Sequence, residues 1–247
     1  MAQPDYSAAG IEVRQDLSDC HRFLLKHVTS PGTWWTGAER RAIAEETRLA
    51  AGCGLCRERK AALSPTAATG EHQSTGLLDT HVVDVIHRIR TDPARLSRQW
   101  FDTVVPKILA DTHYVELVGV VTMMAGMDNF ARALGMPLFV LPPAAPGEPS
   151  RQRPASAKSG TAWVPMIEVT DAAGPEADMY PDAPFVPNIV RALSLVPDQV
   201  RALRRSSDAH YLPVAQIGDP TARRPTIDRL QMELVAARVS ALNQCFY

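Results

Sequence analysis

The segment THYVELVGVVTMMAGMDNFARALG, residues 112–135, constrains the fold of this chain more than any other stretch. Between Tyr114 and Met124 it is apolar on nearly all sides, the pattern of a helix surrounded by other helices. Its apolar run is too short to span a bilayer and carries Glu116. Gly135 and Pro137 close it. The rest of the chain must therefore supply helices to cover it. Aromatics make up only 6% of the 247 residues, and β-branched residues do not gather in alternating runs, so an all-α fold is expected.

The surrounding helices can be placed from their punctuation. Thr36 followed by Glu39 is a capping-box pattern. The helix it opens is expected to pass Ile43, Thr47 and Ala50 towards Cys53 and to end before Ser64-Pro65. A second helix reads from Asp79 to Arg90, and a third opens at Asp92 with Pro93 in its first position. Trp34-Trp35 reads as a packing anchor ahead of the capped helix. Residues 142–160, PPAAPGEPSRQRPASAKSG with Leu141 before them, lose all periodicity and read as an exposed linker between two units, 1–141 and 161–247. Beyond it come two short helices broken by prolines. A final amphipathic helix follows, whose apolar positions Leu230, Leu234, Val235, Val239, Leu242 and Phe246 are expected to face a core. Cys245 is expected on that buried face.

Lys plus Arg (26) nearly equals Asp plus Glu (27), so no global field calls for nucleic acid or a membrane surface. The start MAQPDYSAAG has neither a basic nor an apolar leader segment, and a cytoplasmic location is expected. In that compartment a cysteine pair is redox-active or metal-binding more often than a structural disulfide. Cys53 and Cys56, at i and i+3, face one side of a helical turn and can be bridged after oxidation. A zinc site would need two more ligands. His72 and Cys20/His21 lack a recognised spacing for that role, so no metal or other bound cofactor is expected.

Placing Cys53 over Cys245 aligns Ile43 with Val235, Ala44 with Ala236 and Thr47 with Val239. The chain reads as an imperfect duplication whose second copy breaks off within a Cys-x-x-Cys motif. ELVAARVSALNQC, residues 233–245, resembles the signature helix of the alkylhydroperoxidase D-like family, which also contains the carboxymuconolactone decarboxylases. PNIVRALSLVPDQVRAL and DTHYVELVGVVTMMAGMDNFARALG are similar to helices of that family's peroxidase-related branch. Its redox members carry Glu, eleven residues, Cys, two residues, Cys, three residues, His. Glu233 and Cys245 match the first two. In the first copy Cys53-Gly54-Leu55-Cys56 is intact, while Arg41 and Lys60 stand at the glutamate and histidine positions.

The resemblance implies a helical bundle in two units and a thiol peroxidase or disulfide oxidoreductase. The second cysteine of the motif attacks the hydroperoxide, the first resolves the sulfenic acid to a disulfide, and an external, thioredoxin-like dithiol reduces it. Glu233 would be the relay carboxylate and Cys245 the resolving thiol, with the attacking residue beyond Tyr247. Three explanations for its absence stay open: a degenerate second copy, a sequence cut short, or a selenocysteine encoded by a UGA read as stop. In the first copy Glu45, His81 and His87 are the candidates to replace the missing relay. The resemblance also implies a homo-oligomer. The competing expectation is a non-catalytic protein that keeps the fold for assembly or partner binding. A decarboxylase or lactonase reading is disfavoured by the intact CGLC motif.

Overall fold

The computed structural model describes residues 4–180, 186–243 and 245. Among these the chain is all-α: ten α-helices, short 3₁₀ turns and two isolated bridges, Lys158 with Met166 and Arg224 with Ile227, but no strand. No helix among them is long and apolar enough to cross a membrane.

Helix α6, Asp111–Ala133, is the central element expected from the apolar segment, and α1 (Gln15–Thr29), α2 (Gly37–Ala50), α4 (Thr80–Thr91) and α8 (Pro197–His210) pack around it. Leu117, Val120, Met124 and Met127 are fully buried there. The enclosure is incomplete along one side of α6. Tyr114, Val118, Thr122, Ala125 and Asn129 recur at helical spacing and are only partly covered or exposed, and they line a groove of about 680 Å³.

Thr36 caps α2 as the sequence predicts: its Oγ1 accepts the Glu39 amide at 3.3 Å while Glu39 Oε2 accepts the Thr36 amide at 2.8 Å. Just ahead of the cap the chain passes over Glu116 of α6. The Trp34 amide donates to Glu116 Oε2 at 2.6 Å, and Arg40 Nη1 lies 3.3 Å from Oε1, all within the core. Gly32 makes that approach possible, since a Cβ at this position would collide with both the Glu116 carboxylate and the Arg40 guanidinium. Trp35 is buried and donates its indole N–H to the His113 carbonyl at 3.0 Å, which anchors α2 to α6.

Four expectations change. The capped helix does not run on through the cysteines. It ends at Ala50, and after Gly52 the extended backbone of Cys53 (φ −65°, ψ 129°) starts a separate helix α3, Gly54–Ala61. At Asp92 only a 3₁₀ turn, Pro93–Arg95, forms before α5, Arg98–Val104, which Ser97 caps. Residues 142–160 have no helix but are not a free linker. The Ala145 and Arg151 amides donate to the Thr29 and Thr33 carbonyls at 2.8 Å, Arg153 pairs with Asp111 at 2.7 Å, and Pro154 is buried. The turn between α1 and α2 leaves those carbonyls without helical partners, and the strap satisfies them. Helices from both sides of the strap also share one core, with Ala202 and Ala209 of α8 among Leu24, Val120 and Met124.

The fourth change concerns the last helix. After the short helices α7 (Asn188–Arg191) and α9 (Val214–Ile217), α10 spans Arg229–Leu242. Its apolar stripe is uncovered: Leu230 is 82% exposed, Leu234 71% and Leu242 63%, and only Met232 is buried. Cys245 is exposed rather than buried, and Phe246 lies outside the described residues. The parallel with α2 is nevertheless close. Both helices have 14 residues, both open on a capping box, Thr36 with Glu39 and Asp228 with Gln231, and each is followed three residues on by a cysteine.

Candidate functional site

Cys53 and Cys56 lie where α2, α3, α4 and the connection from Ala62 to Asp79 meet. Cys53 is the N-cap residue of α3 and Cys56 stands in its first turn, so the helix start holds both sulfurs towards one side. Both thiols are free and buried. They form, with Leu55 and Ala68, a small apolar cluster of their own.

Two imidazoles face the sulfurs. His87, on the buried face of α4, sets Nδ1 3.2 Å from Cys56 Sγ. His72, carried by the helix-free connection, sets Nδ1 3.5 Å from Cys53 Sγ and 3.7 Å from Cys56 Sγ. Each ring is tied at its far nitrogen to a carboxylate: His87 Nε2 to Glu46 Oε1 and His72 Nε2 to Asp84 Oδ1, both at 2.9 Å. The bond to Glu46 places the His87 proton on Nε2 and leaves its Nδ1 lone pair facing Cys56. The four ligand-type atoms lie within 4.8 Å of one another.

The carboxylates are themselves fixed. Glu46 is fully buried, and its Oε2 accepts from Ser74 Oγ at 3.1 Å and from the Thr75 amide and hydroxyl at 3.1 and 3.0 Å. Asp84 pairs with Arg59 of α3. Burial alone would raise the Asp84 carboxyl, but His72 and Arg59 outweigh it and bring it to about 2. Burial pulls the His72 imidazole down, yet Asp84 and the two sulfurs lift it to about 10. Burial would push the Cys53 thiol up, whereas the Cys56 and Gln73 amides and His72 hold it at about 7. Desolvation depresses His87, which keeps it a neutral base. A cleft of about 270 Å³ is lined by Cys53 and Cys56 together with Arg57, Lys60, Arg90 and Asn243.

Of the candidate residues, the fold gathers Cys53, Cys56 and His87. Glu45 points elsewhere and pairs with Arg41 at 2.8 Å, while His81 is exposed on the first turn of α4. Glu233 bonds Tyr211 and Arg229 on the α10 side, and Cys245 borders the α6 groove with Val239 and Asn243. Glu46, Asp84 and Arg59 were missed, and His72 entered only as a histidine without spacing. One signal was available for Glu46. It shares the helical face of Ile43, Thr47 and Ala50, and a carboxylate on a buried face demands a partner. Elsewhere, Cys20 is buried against the Arg205 carbonyl and burial raises its thiol to about 11, which makes it inert.

What results is a dithiol flanked by two carboxylate-backed imidazoles. Comparisons with protein-family models, with curated proteins and with solved structures find no match for this chain.

Proposed function

We propose that the chain is a dithiol oxidoreductase of the alkylhydroperoxidase D-like type, reducing a hydroperoxide, or a disulfide in the same way, at Cys53 and Cys56. The observation that carries this reading is the line Cys56 Sγ, His87 Nδ1, His87 Nε2, Glu46 Oε1, closed at 3.2 and 2.9 Å. It supplies in space the imidazole and carboxylate that Lys60 and Arg41 replace in sequence.

His87 Nδ1 accepts the Cys56 proton, and Glu46 stabilises the imidazolium that forms. The thiolate attacks the distal peroxide oxygen and forms an S–O bond as the O–O bond breaks. The His87 Nδ1 proton passes to the departing alkoxide, which leaves as an alcohol, and Cys56 becomes a sulfenic acid. Cys53, held as a thiolate beside the His72 imidazolium, attacks the Cys56 sulfur. The S–S bond forms, the S–O bond breaks, and hydroxide leaves as water with a proton from the His72 imidazolium. An external, thioredoxin-like dithiol reduces the disulfide by exchange. No bound cofactor takes part in these steps. The basic rim of Arg57, Lys60 and Arg90 favours an anionic substrate or donor at the cleft.

One observation favours a second reading, a non-catalytic protein that acts in assembly. The exposed stripe of Leu230, Leu234, Val235, Val239 and Leu242 is a surface that a partner or a second copy would bury, and it also supports the proposed homo-oligomer. Treating the reduced full-length chain with one equivalent of hydroperoxide separates the two. The redox reading expects a Cys53–Cys56 disulfide by mass spectrometry, sulfenic acid trapped on Cys56 in Cys53→Ser, and recovery of both thiols with reduced thioredoxin. Unreacted Cys53 and Cys56 under those conditions would leave only the assembly reading.

A further inference from the structure

From the same cluster we infer a second occupant: Cys53, Cys56, His72 and His87 form a closed, tetrahedral zinc site when both thiols are reduced. Only the release step below rests on the redox reading.

The geometry carries this in three ways. Tetrahedral zinc with bonds of about 2.3 Å to sulfur and about 2.05 Å to nitrogen separates each sulfur from each nitrogen by about 3.6 Å. The sulfur–nitrogen contacts here are 3.2, 3.5 and 3.7 Å, and the four atoms fit within 4.8 Å. Both imidazoles present Nδ1 and carry a carboxylate on Nε2, the arrangement that orients ligating histidines and strengthens them as donors. The long connection between α3 and α4 has no helix, and of its side chains His72, Ser74 and Thr75 reach the cluster and its carboxylates. A metal bound by His72 would staple that connection to two helices, which gives the four donors a structural purpose that two spare thiols would not have.

With four protein ligands the site keeps no open position, so the zinc form holds the thiolates and does no hydrolytic chemistry. A disulfide between Cys53 and Cys56 removes two ligands at once. Metal and disulfide therefore exclude each other. The balanced exchange takes the zinc dithiolate, one hydroperoxide and two protons to the disulfide, free Zn²⁺, one alcohol and one water. The sulfurs are oxidised, the peroxide is reduced, and the ion leaves without changing its charge.

The test uses the full-length chain, reduced, freed of metal with a chelator and titrated with Co²⁺ alone and then with Zn²⁺ alone. Expected are one Co²⁺ per chain with sulfur-to-cobalt charge-transfer and tetrahedral ligand-field absorption, and displacement of Co²⁺ by one Zn²⁺. Cys56→Ser and His72→Ala should each weaken uptake by at least tenfold while helical circular dichroism persists, and His81→Ala, an exposed histidine, should leave it unchanged. Glu46→Gln, which keeps all four ligands, should lower affinity about 10- to 100-fold. Octahedral cobalt spectra, sub-stoichiometric uptake, or uptake indifferent to Cys56→Ser would overturn the site. Peroxide added to the zinc form should release the ion with disulfide formation. Full zinc uptake with no peroxide reaction in either form keeps the metal site and refutes the redox reading. Peroxide turnover by a chain that takes no metal does the reverse.

Discussion

Replacing Glu46 by Gln removes a charge without removing volume, and the geometry dictates how the new side chain sits. Three donors, Ser74 Oγ, the Thr75 amide and Thr75 Oγ1, converge on Oε2 at 3.0 to 3.1 Å. They need an acceptor, so the Gln carbonyl takes that place and its NH₂ turns towards His87 Nε2. A donor there forces His87 to accept at Nε2 and carry its proton on Nδ1, directly against Cys56 Sγ. The ring can then no longer take the thiol proton. Positioned bases contribute roughly 10²–10⁴ in rate, and the peroxide oxidation of Cys56 should slow by about that factor. Because three of the four hydrogen bonds survive unchanged and the fourth only reverses direction, losing its charge, the stability loss should stay near about 1 kcal/mol. The assay is stopped-flow oxidation of the chelator-treated, reduced chain under excess hydroperoxide, with thermal unfolding alongside and Glu45→Gln as the control. If Glu46→Gln oxidised within twofold of the parent while Cys56→Ser abolished the reaction, the relay through His87 would be wrong.

Other perturbations have equally definite outcomes. Glu116→Gln leaves the buried Arg40 guanidinium without its counter-charge and should lower unfolding free energy in urea by about 3–5 kcal/mol, an effect partly relieved in Arg40→Met/Glu116→Gln. An acid-dependent loss of stability should arise at His21, which is fully buried, accepts from Tyr6 Oη at 2.7 Å and contacts His210 Nε2 at 2.9 Å. Burial, then the His210 ring, hold its pKa at about 4 against about 6.5 in the unfolded chain, so the unfolded state gains a proton first. The contribution is complete above pH ~6.5 and falls by about 2–3 kcal/mol by pH ~4.5; His21→Asn should flatten that part of the urea-stability profile. Thiol labelling of the native, metal-free chain should reach the exposed Cys245 first, Cys53 next and Cys20 only on unfolding; labelling of Cys20 at the native rate of Cys245 would contradict its burial.

The helices could be read from the chain because their signals are local. The Thr36–Glu39 box, the Asp79 cap and the apolar run of α6 each lie within a few turns, and the structure keeps all three. The site was half legible for the same reason. Cys53 and Cys56 announce themselves by spacing, whereas His72, Asp84 and Glu46 reach them only through the packing of α2 against α4 and the path of a loop. Sequence distance carries no such information. Glu45 was chosen and Glu46 passed over, one residue apart, because a rotation of about 100° around a helix separates a surface ion pair from the core. The stripe of α10 shows the opposite limit: periodicity identifies an apolar face but not what covers it.

The connection between α3 and α4 has a wider consequence. His72, Ser74 and Thr75 all lie within it, outside every helix, and through them it reaches both thiols and the Glu46 carboxylate. The bundle supplies the sulfurs together with His87 and Glu46, and one irregular segment adds the second imidazole and the donors that hold the Glu46 carboxylate. A protease nick or a short insertion there would remove His72 from the thiols and the Ser74 and Thr75 donors from Glu46. A different loop of the same length could retune the thiols without moving a helix.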